Sequence, residues 1–203
     1  MAVNLQKGQK VDLTKGNPGL KHIMVGLGWD EAKPSGGKGL LSALFGGGGA
    51  QNIDCDATAI LLDANGKLAE NKDVVYFGNL THKSNAVKHM GDNLTGAGDG
   101  DDEQIFVDLE RIPESYSKIV FVVNIYEARL RNQNFGLIKN AFIRLVDNDK
   151  KTEICRYDLS ENYNGMTAMI FGEIYRHNGE WKFSAIGQGT TDNSIGDLAK
   201  RYL

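Results

Sequence analysis

The chain has 203 residues, 41% hydrophobic and 24% charged, and its 23 Lys and Arg against 26 Asp and Glu give a formal net charge of −3. That balance argues against the electrostatic footprint of a protein that binds nucleic acid or anionic lipid, and no apolar run approaches the roughly 18 residues of a membrane-spanning helix. The two cysteines, Cys55 and Cys155, are too few for a disulfide scaffold and lack metal-ligand spacing, which leaves free thiols as the expectation and excludes zinc held by cysteine.

In chain order, the opening MAVNLQKGQKVDL lacks the basic start and apolar core of a secretory signal. A cytoplasmic protein is therefore expected, and the sequons at Asn79 and Asn93 read as chance matches. Strand patterns then dominate. His22 to Leu27 follows an Asn17-Pro18-Gly19 turn, Cys55 to Leu62 runs into Asp63-Ala64-Asn65-Gly66, and Val74 to Phe77 comes next. Gln104 to Leu109 alternates through Ile105, Val107 and Leu109. The continuous run KIVFVVNIY from Lys118 to Tyr126 reads as a central strand covered on both faces. Ala141 to Val146, Glu153 to Tyr157, Met169 to Arg176 and Glu180 to Ala185 follow, the last two joined by Asn178-Gly179, a pair that tolerates positive φ and favours a two-residue hairpin. One turn of helix is expected within Glu127 to Asn134. A short C-terminal helix is expected over Ser194 to Tyr202, with Ser194 as N-cap and Asp197 three residues on. About ten strands with short turns predict an all-β fold, a single-domain β-sandwich spanning 1–203.

Residues 35–52, SGGKGLLSALFGGGGAQN, interrupt this pattern. Half of the fourteen residues from Gly36 to Gly49 are glycine, yet Leu40, Leu41, Leu44 and Phe45 sit among them. Two readings stand: an apolar docking tip for a partner or membrane, or a hairpin loop that folds its apolar residues onto the sandwich.

The charge is unevenly spread. Gly91 to Glu103, GDNLTGAGDGDDE, holds Asp92, Asp99, Asp101, Asp102 and Glu103 with no basic residue, which leaves 21 acidic and 23 basic residues elsewhere. Two carboxylates 4 Å apart repel by about 4 kcal/mol at an effective dielectric near 20, so five in one glycine-rich loop must splay, take up protons or hold a cation. Oxygen-rich loops suit Ca²⁺, which takes six to eight oxygens from carboxylates, amides and backbone carbonyls. The loop is not an EF-hand, since counting from Asp99 puts Gln104 where that motif needs glycine. Asp54-Cys55-Asp56 adds a second acidic pair. On a strand, residues two apart share a face, so Asp54 and Asp56 point one way and Cys55 and Ala57 the other.

These segments, with VGLGWD (Val25 to Asp30), NAFIR (Asn140 to Arg144), RYDL (Arg156 to Leu159) and GEIYRHNGEWKFSAIGQG (Gly172 to Gly189), resemble the TerD family of bacterial tellurium-resistance and general-stress proteins. The resemblance runs in order from about Leu5 to Gly189. It implies a β-sandwich that binds Ca²⁺ at clustered loops and a stress-associated role in tolerance of toxic ions. By position, Asp54 and Asp56 match the paired aspartates, and Asp92, Asn93, Asp99, Asp101, Asp102 and Glu103 match the acidic motif. Asp30, with the carbonyls of Gly28 and Trp29, resembles a third wall of the metal site. Eight acidic or amide side chains exceed the needs of one ion, so the count stays open at one or two. The chain departs from the family at Cys55, in the glycine-rich insertion, and in the ending TTDNSIGDLAKRYL.

Other constellations carry less. His22, His82, His89 and His177 lack metal-binding spacing and read as surface or turn residues; Gly26-Leu27-Gly28 lacks the third glycine of a dinucleotide site. Cys155 reads as inert core on a face with Tyr157 and Leu159. The expected function is a non-enzymatic Ca²⁺-binding stress protein whose ion orders acidic loops for a protein partner in a stress assembly. The alternatives are a Ca²⁺-dependent membrane-docking module and a metal-dependent hydrolase, the latter lacking a histidine base or a positioned nucleophile.

Overall fold

A computed structural model describes residues 2–31, 53–91 and 100–203. The 35–52 insertion and the expected ligands Asp92, Asn93 and Asp99 lie outside the described residues. In chain order the strands are β1 (Val3–Leu5), β2 (Lys10–Asp12), β3 (His22–Glu31), β4 (Cys55–Leu62), β5 (Val74–Val75), β6 (Val87–His89), β7 (Glu103–Asp108), β8 (Lys118–Ile125), β9 (Ile138–Asp147), β10 (Thr152–Asp158), β11 (Ala168–His177) and β12 (Glu180–Thr190), followed by one helix, α1 (Ile195–Lys200). They form two six-stranded sheets, ordered β1-β10-β9-β3-β7-β6 and β2-β12-β11-β8-β4-β5. Every pairing is antiparallel except β1 with β10.

The alternation of side chains assembles the core. Ile23, Val25 and Leu27 of β3, with Ile105 and Val107 of β7 and Ile143 and Leu145 of β9, face Cys55, Ala57, Ala59 and Leu61 of β4 and Phe121 and Val123 of β8. β8 lies in the interior of its sheet, and residues Ile119 to Ile125 are buried on both faces, as the unbroken apolar run requires. On the far side of that sheet, Ile60, Leu62, Val120, Val122 and Ile170 are covered by Leu198 of α1. Ser194 caps this helix, its hydroxyl accepting the Asp197 N–H at 3.1 Å. The Asn178-Gly179 turn joins β11 to β12 with φ of 53° and 79°. Within Glu127 to Asn134 one turn closes, the Arg131 N–H donating to the Glu127 carbonyl at 2.9 Å.

β1, β2 and β6 were not legible as strands. Each has only three residues, and each is held by pairing with a partner far along the chain, β1 with β10 and β2 with β12. Among the described residues, no helix is long and apolar enough to cross a membrane.

Candidate metal centre

β3 builds one wall. Its pairing with β9 shifts register between Gly28 and Asp30, and Asn140, opposite this irregularity, sits at φ 53°. Such a bulge re-aims side chains at a sheet end. Here Asn140 Nδ2 donates to Asp30 Oδ2 at 2.7 Å and fixes that exposed carboxylate. The Trp29 N–H donates to Asp102 Oδ2 at 2.7 Å, and the Asp102 N–H to the Leu27 carbonyl at 2.8 Å, so the end of the acidic segment is laced onto β3. Burial pushes the Asp102 carboxyl above the usual carboxylate range; the Trp29 N–H opposes this, and the charges of Asp30 and Asp101 push it further up.

Asp101 takes a different partner. Its two oxygens receive Arg144 Nε at 2.7 Å and Nη2 at 2.9 Å, a bidentate pair whose carboxylate side is wholly buried. The carboxylate rests on Gly26, where a Cβ would overlap it, so glycine at that place on β3 is what lets the segment lie down. Glu103 turns inward between the sheets. Its Oε2 accepts the Ala57 N–H at 2.7 Å and contacts His89 Nε2 at 3.1 Å. His89 Nδ1 accepts the Gly91 N–H at 3.1 Å, which assigns the ring proton to Nε2 and tethers the start of the acidic segment to the same point.

The second sheet supplies the other wall. Asp54 pairs with Arg131 at 3.8 Å, and its carbonyl accepts the Tyr126 N–H at 2.7 Å. Asp56, 4% exposed, accepts Asn124 Nδ2 at 3.4 Å. Cys55 between them is buried and faces the core, as the strand alternation predicts. Burial pushes its thiol well up, and the negative charges of Asp56, Asp54, Glu103 and Asp102 push the same way.

Of the expected ligands, Gly28, Trp29, Asp30, Asp54, Asp56, Asp101, Asp102 and Glu103 are thus gathered at one end of the sandwich. They do not share one focus: among the described residues, no three His, Cys, Asp or Glu side chains converge tightly enough to hold an ion. The donor set is of the kind a hard cation takes, all oxygen, with the Asp102 carboxyl partly desolvated.

A model of the TerD domain matches residues 1–202. The chain belongs to the TerD family. It is 53% identical over 203 residues to the stress response protein SCP2 of Bacillus subtilis (strain 168), covering all of both chains. It is 48% identical over 189 residues to the tellurium resistance protein TerD of Serratia marcescens, covering 93% of this chain and 91% of that one. The crystal structure of a homologue of telluride resistance protein from Streptomyces coelicolor A3(2) superposes with a TM-score of 0.64 at 18% identity, over 91% of this chain and 99% of that one, and shows the same fold.

In this TerD chain the sequence reading missed the residues that hold the acidic segment in place. Arg144 and Asn140 lay within the quoted motif NAFIR with no role given. His82 and His89, expected at the surface or in turns, are 0% and 1% exposed. The reason is partnership at a distance: His82 Nε2 meets buried Asp73 at 3.2 Å, and His89 meets Glu103. A histidine alternating with valine, as in Val87-Lys88-His89, was the available signal for an inward-facing ring.

Proposed function

We propose that this TerD-family protein is a non-enzymatic, cytoplasmic Ca²⁺-binding stress protein in which the ion organises the acidic end of the sandwich for a protein partner. The observation that carries the reading is the gathering at one end of the sandwich of Asp30 and Asp102, held on β3, with Asp54 and Asp56 of the second sheet, the two walls joined by the Glu103–Ala57 contact. Such crowding is relieved by a divalent cation. Asp30 and Asp102 on the first sheet and Asp54 and Asp56 on the second would serve one or two ions, joined by Asp92, Asn93 and Asp99 from the glycine-rich segment. Asp101 and Glu103 act as the frame, one clamped by Arg144 and the other by Ala57 and His89.

Bound Ca²⁺ supplies charge neutralisation and a cross-link between the two sheets. The neighbouring connection from β8 to β9 offers a surface for the partner: Leu130 is 81% exposed, with Tyr126 and Leu137 also standing out, next to the Asp54–Arg131 contact. Names of relatives as stress and tellurium-resistance proteins support the biological setting.

The test is calorimetric titration of chelator-stripped protein with Ca²⁺ and with Mg²⁺. The expected result is micromolar or tighter Ca²⁺ binding, selective over Mg²⁺ and lost in Asp54→Ala and Asp102→Ala. Absence of binding in the wild type would end the proposal.

A further inference from the structure

Outside the residues assigned to the ion, three side chains form a hydrogen-bonded row. Ser84 Oγ lies 2.7 Å from His82 Nδ1, and His82 Nε2 lies 3.2 Å from Asp73 Oδ1. The Ser84 backbone N–H also donates to Nδ1 at 3.2 Å, which makes that nitrogen the acceptor and assigns the ring proton to Nε2, facing the carboxylate. The order is hydroxyl, imidazole, carboxylate, the relay by which a serine oxygen is made nucleophilic.

The fold fixes this row from several sides. His82 and Asp73 are both 0% exposed, whereas Ser84 is half-buried. The His82 N–H donates to the Val87 carbonyl at 2.9 Å, and the ring stands edge-on to Tyr116. Tyr116 Oη donates to Asp73 Oδ1 at 2.7 Å, Lys83 Nζ reaches the same oxygen at 2.9 Å, and Glu70 pairs with Lys83 from outside. Burial would raise the Asp73 carboxyl, but hydrogen bonds from Lys83, Tyr116 and His82 hold it below the usual range, and burial lowers the His82 ring. At pH 7 a neutral imidazole is thus backed by a charged carboxylate. The turn that presents Ser84 is closed by the Asn85 N–H on the His82 carbonyl at 2.8 Å, with Asn85 at φ 59°. That turn alone does not call for the relay: Ser84 Oγ accepts the Ala86 N–H at 3.2 Å, which a hydroxyl does without a histidine behind it.

We propose that Ser84 is a site of covalent acylation, its hydroxyl activated by His82 and Asp73 toward an activated ester or thioester. Ser84 Oγ forms a bond to the acyl carbon, the bond from that carbon to the leaving oxygen or sulfur breaks with its electron pair, and the hydroxyl proton passes to His82 Nδ1. Asp73 stabilises the imidazolium through Nε2–H, and the ring then gives the proton to the leaving group. The modification is stoichiometric, one acyl group per chain, and uses none of the residues assigned to Ca²⁺.

The test exposes wild type, His82→Gln and Asp73→Asn to p-nitrophenyl acetate and follows acetylation of Ser84, of Lys83 and of the exposed Ser115 and Ser160 by peptide mass spectrometry. Ser84 is expected to react about tenfold or more faster than Ser115 and Ser160, and about tenfold or more slower in either variant, as loss of a general base requires. Its rate should level between pH 7 and 8, where His82 is neutral, while the reference serines keep rising with hydroxide. Should both variants fail to fold, the selectivity and the pH profile within the wild type still decide. Acetylation of Ser84 at the rate of Ser160, acetyl on Lys83 alone, or unchanged rates in the folded variants would overturn the proposal.

Discussion

Glu103 of one sheet accepts the backbone N–H of Ala57 in the other at 2.7 Å, and the same oxygen meets His89 Nε2 at 3.1 Å. A carboxylate thus stitches the two layers of the sandwich at the end where the acidic segment leaves and returns. Removing it would strand a buried N–H and leave His89 Nε2 with only the Ala57 carbonyl at 3.2 Å, and breaking a buried charged contact of this kind costs about 3–5 kcal/mol. Glu103→Ala is expected to lower stability by about that amount in urea unfolding, and Glu103→Gln by less, since its amide oxygen still accepts the Ala57 N–H. Equal stability of Glu103→Ala and wild type would show that the stitch contributes nothing.

Asp101 is positioned by two different requirements, a bidentate Arg144 above and the absence of a Cβ on Gly26 below. Arg144→Met and Gly26→Ala should therefore have the same consequence, displacement of Asp101 and loosening of the acidic segment, each costing about 1.5–3 kcal/mol, the range for hydrogen bonds to charged groups. Because both act on one contact, the double variant should cost clearly less than the sum of the single changes. Additive losses in a denaturant series would mean that the two positions stabilise different things.

His82 provides a pH signature separate from the acidic end. Its ring is buried between Asp73 at 3.2 Å and Ser84 at 2.7 Å, edge-on to Tyr116. Burial lowers its pKa below the ordinary histidine value, outweighing the attraction of Asp73. The unfolded chain then takes up a proton at higher pH than the fold does, so this contribution to stability is complete above the unfolded value near 6.5 and declines as pH falls below it. The stability advantage of wild type over His82→Gln should therefore be constant from pH 8 to 7 and shrink between pH 6.5 and 5. For Asp73, burial raises the pKa, but hydrogen bonds from Lys83, Tyr116 and His82 hold it below the carboxylate norm, so its contribution is lost only below about pH 4. A constant difference down to pH 5 would sink the assignment to His82.

The helix α1 is short, capped by Ser194 and with Leu198 as its buried side chain. Ser194→Ala removes the hydroxyl that accepts the Asp197 N–H and should cost about 1 kcal/mol. Leu198→Ala empties a wholly buried position over Val120, Val122 and Ile170 and should cost about 2–5 kcal/mol. Far-ultraviolet circular dichroism during urea unfolding separates loss of the helix alone from loss of the fold.

What the sequence made legible was what local chemistry decides. The run Ile119 to Ile125 announces a buried strand, Asn178-Gly179 a hairpin, and Ser194 with Asp197 a helix start, because each signal lies within a few residues. The strands β1, β2 and β6 escaped, since three residues carry no period and their stability comes from neighbours that the fold brings up. The acidic segment was visible as a concentration of charge, but the separate fates of its members were not. Asp101 meets Arg144 only because Gly26 and Arg144 are paired across β3 and β9, and Glu103 faces inward only because β7 continues the alternation of Ile105 and Val107. Register, which no short motif encodes, sorts carboxylates that look alike in sequence.

Cys55 offers a probe of the proposed Ca²⁺ function that needs no substitution. Its thiol is buried and pushed well up by burial and by the surrounding carboxylates, while burial drives the Cys155 thiol up to about 12. Neither should react with a disulfide reagent at pH 8 in the folded state, because the thiolate is the nucleophile and access is closed. Labelling then proceeds only through opening, and Cys55, flanked by Asp54 and Asp56, reports opening of the acidic end, whereas Cys155 on β10 reports a different part of the first sheet. An ion that binds the folded form at 100 times its dissociation constant disfavours opening by about 2.7 kcal/mol, or about 100-fold in rate where opening limits labelling by equilibrium. Ca²⁺ is therefore expected to slow labelling of Cys55 by up to that factor and to slow Cys155 equally only if both react through global unfolding. Mass spectrometry of the two labelled peptides distinguishes these cases. Labelling of Cys55 at the same rate in chelator and in saturating Ca²⁺ would separate the ion from this end of the sandwich.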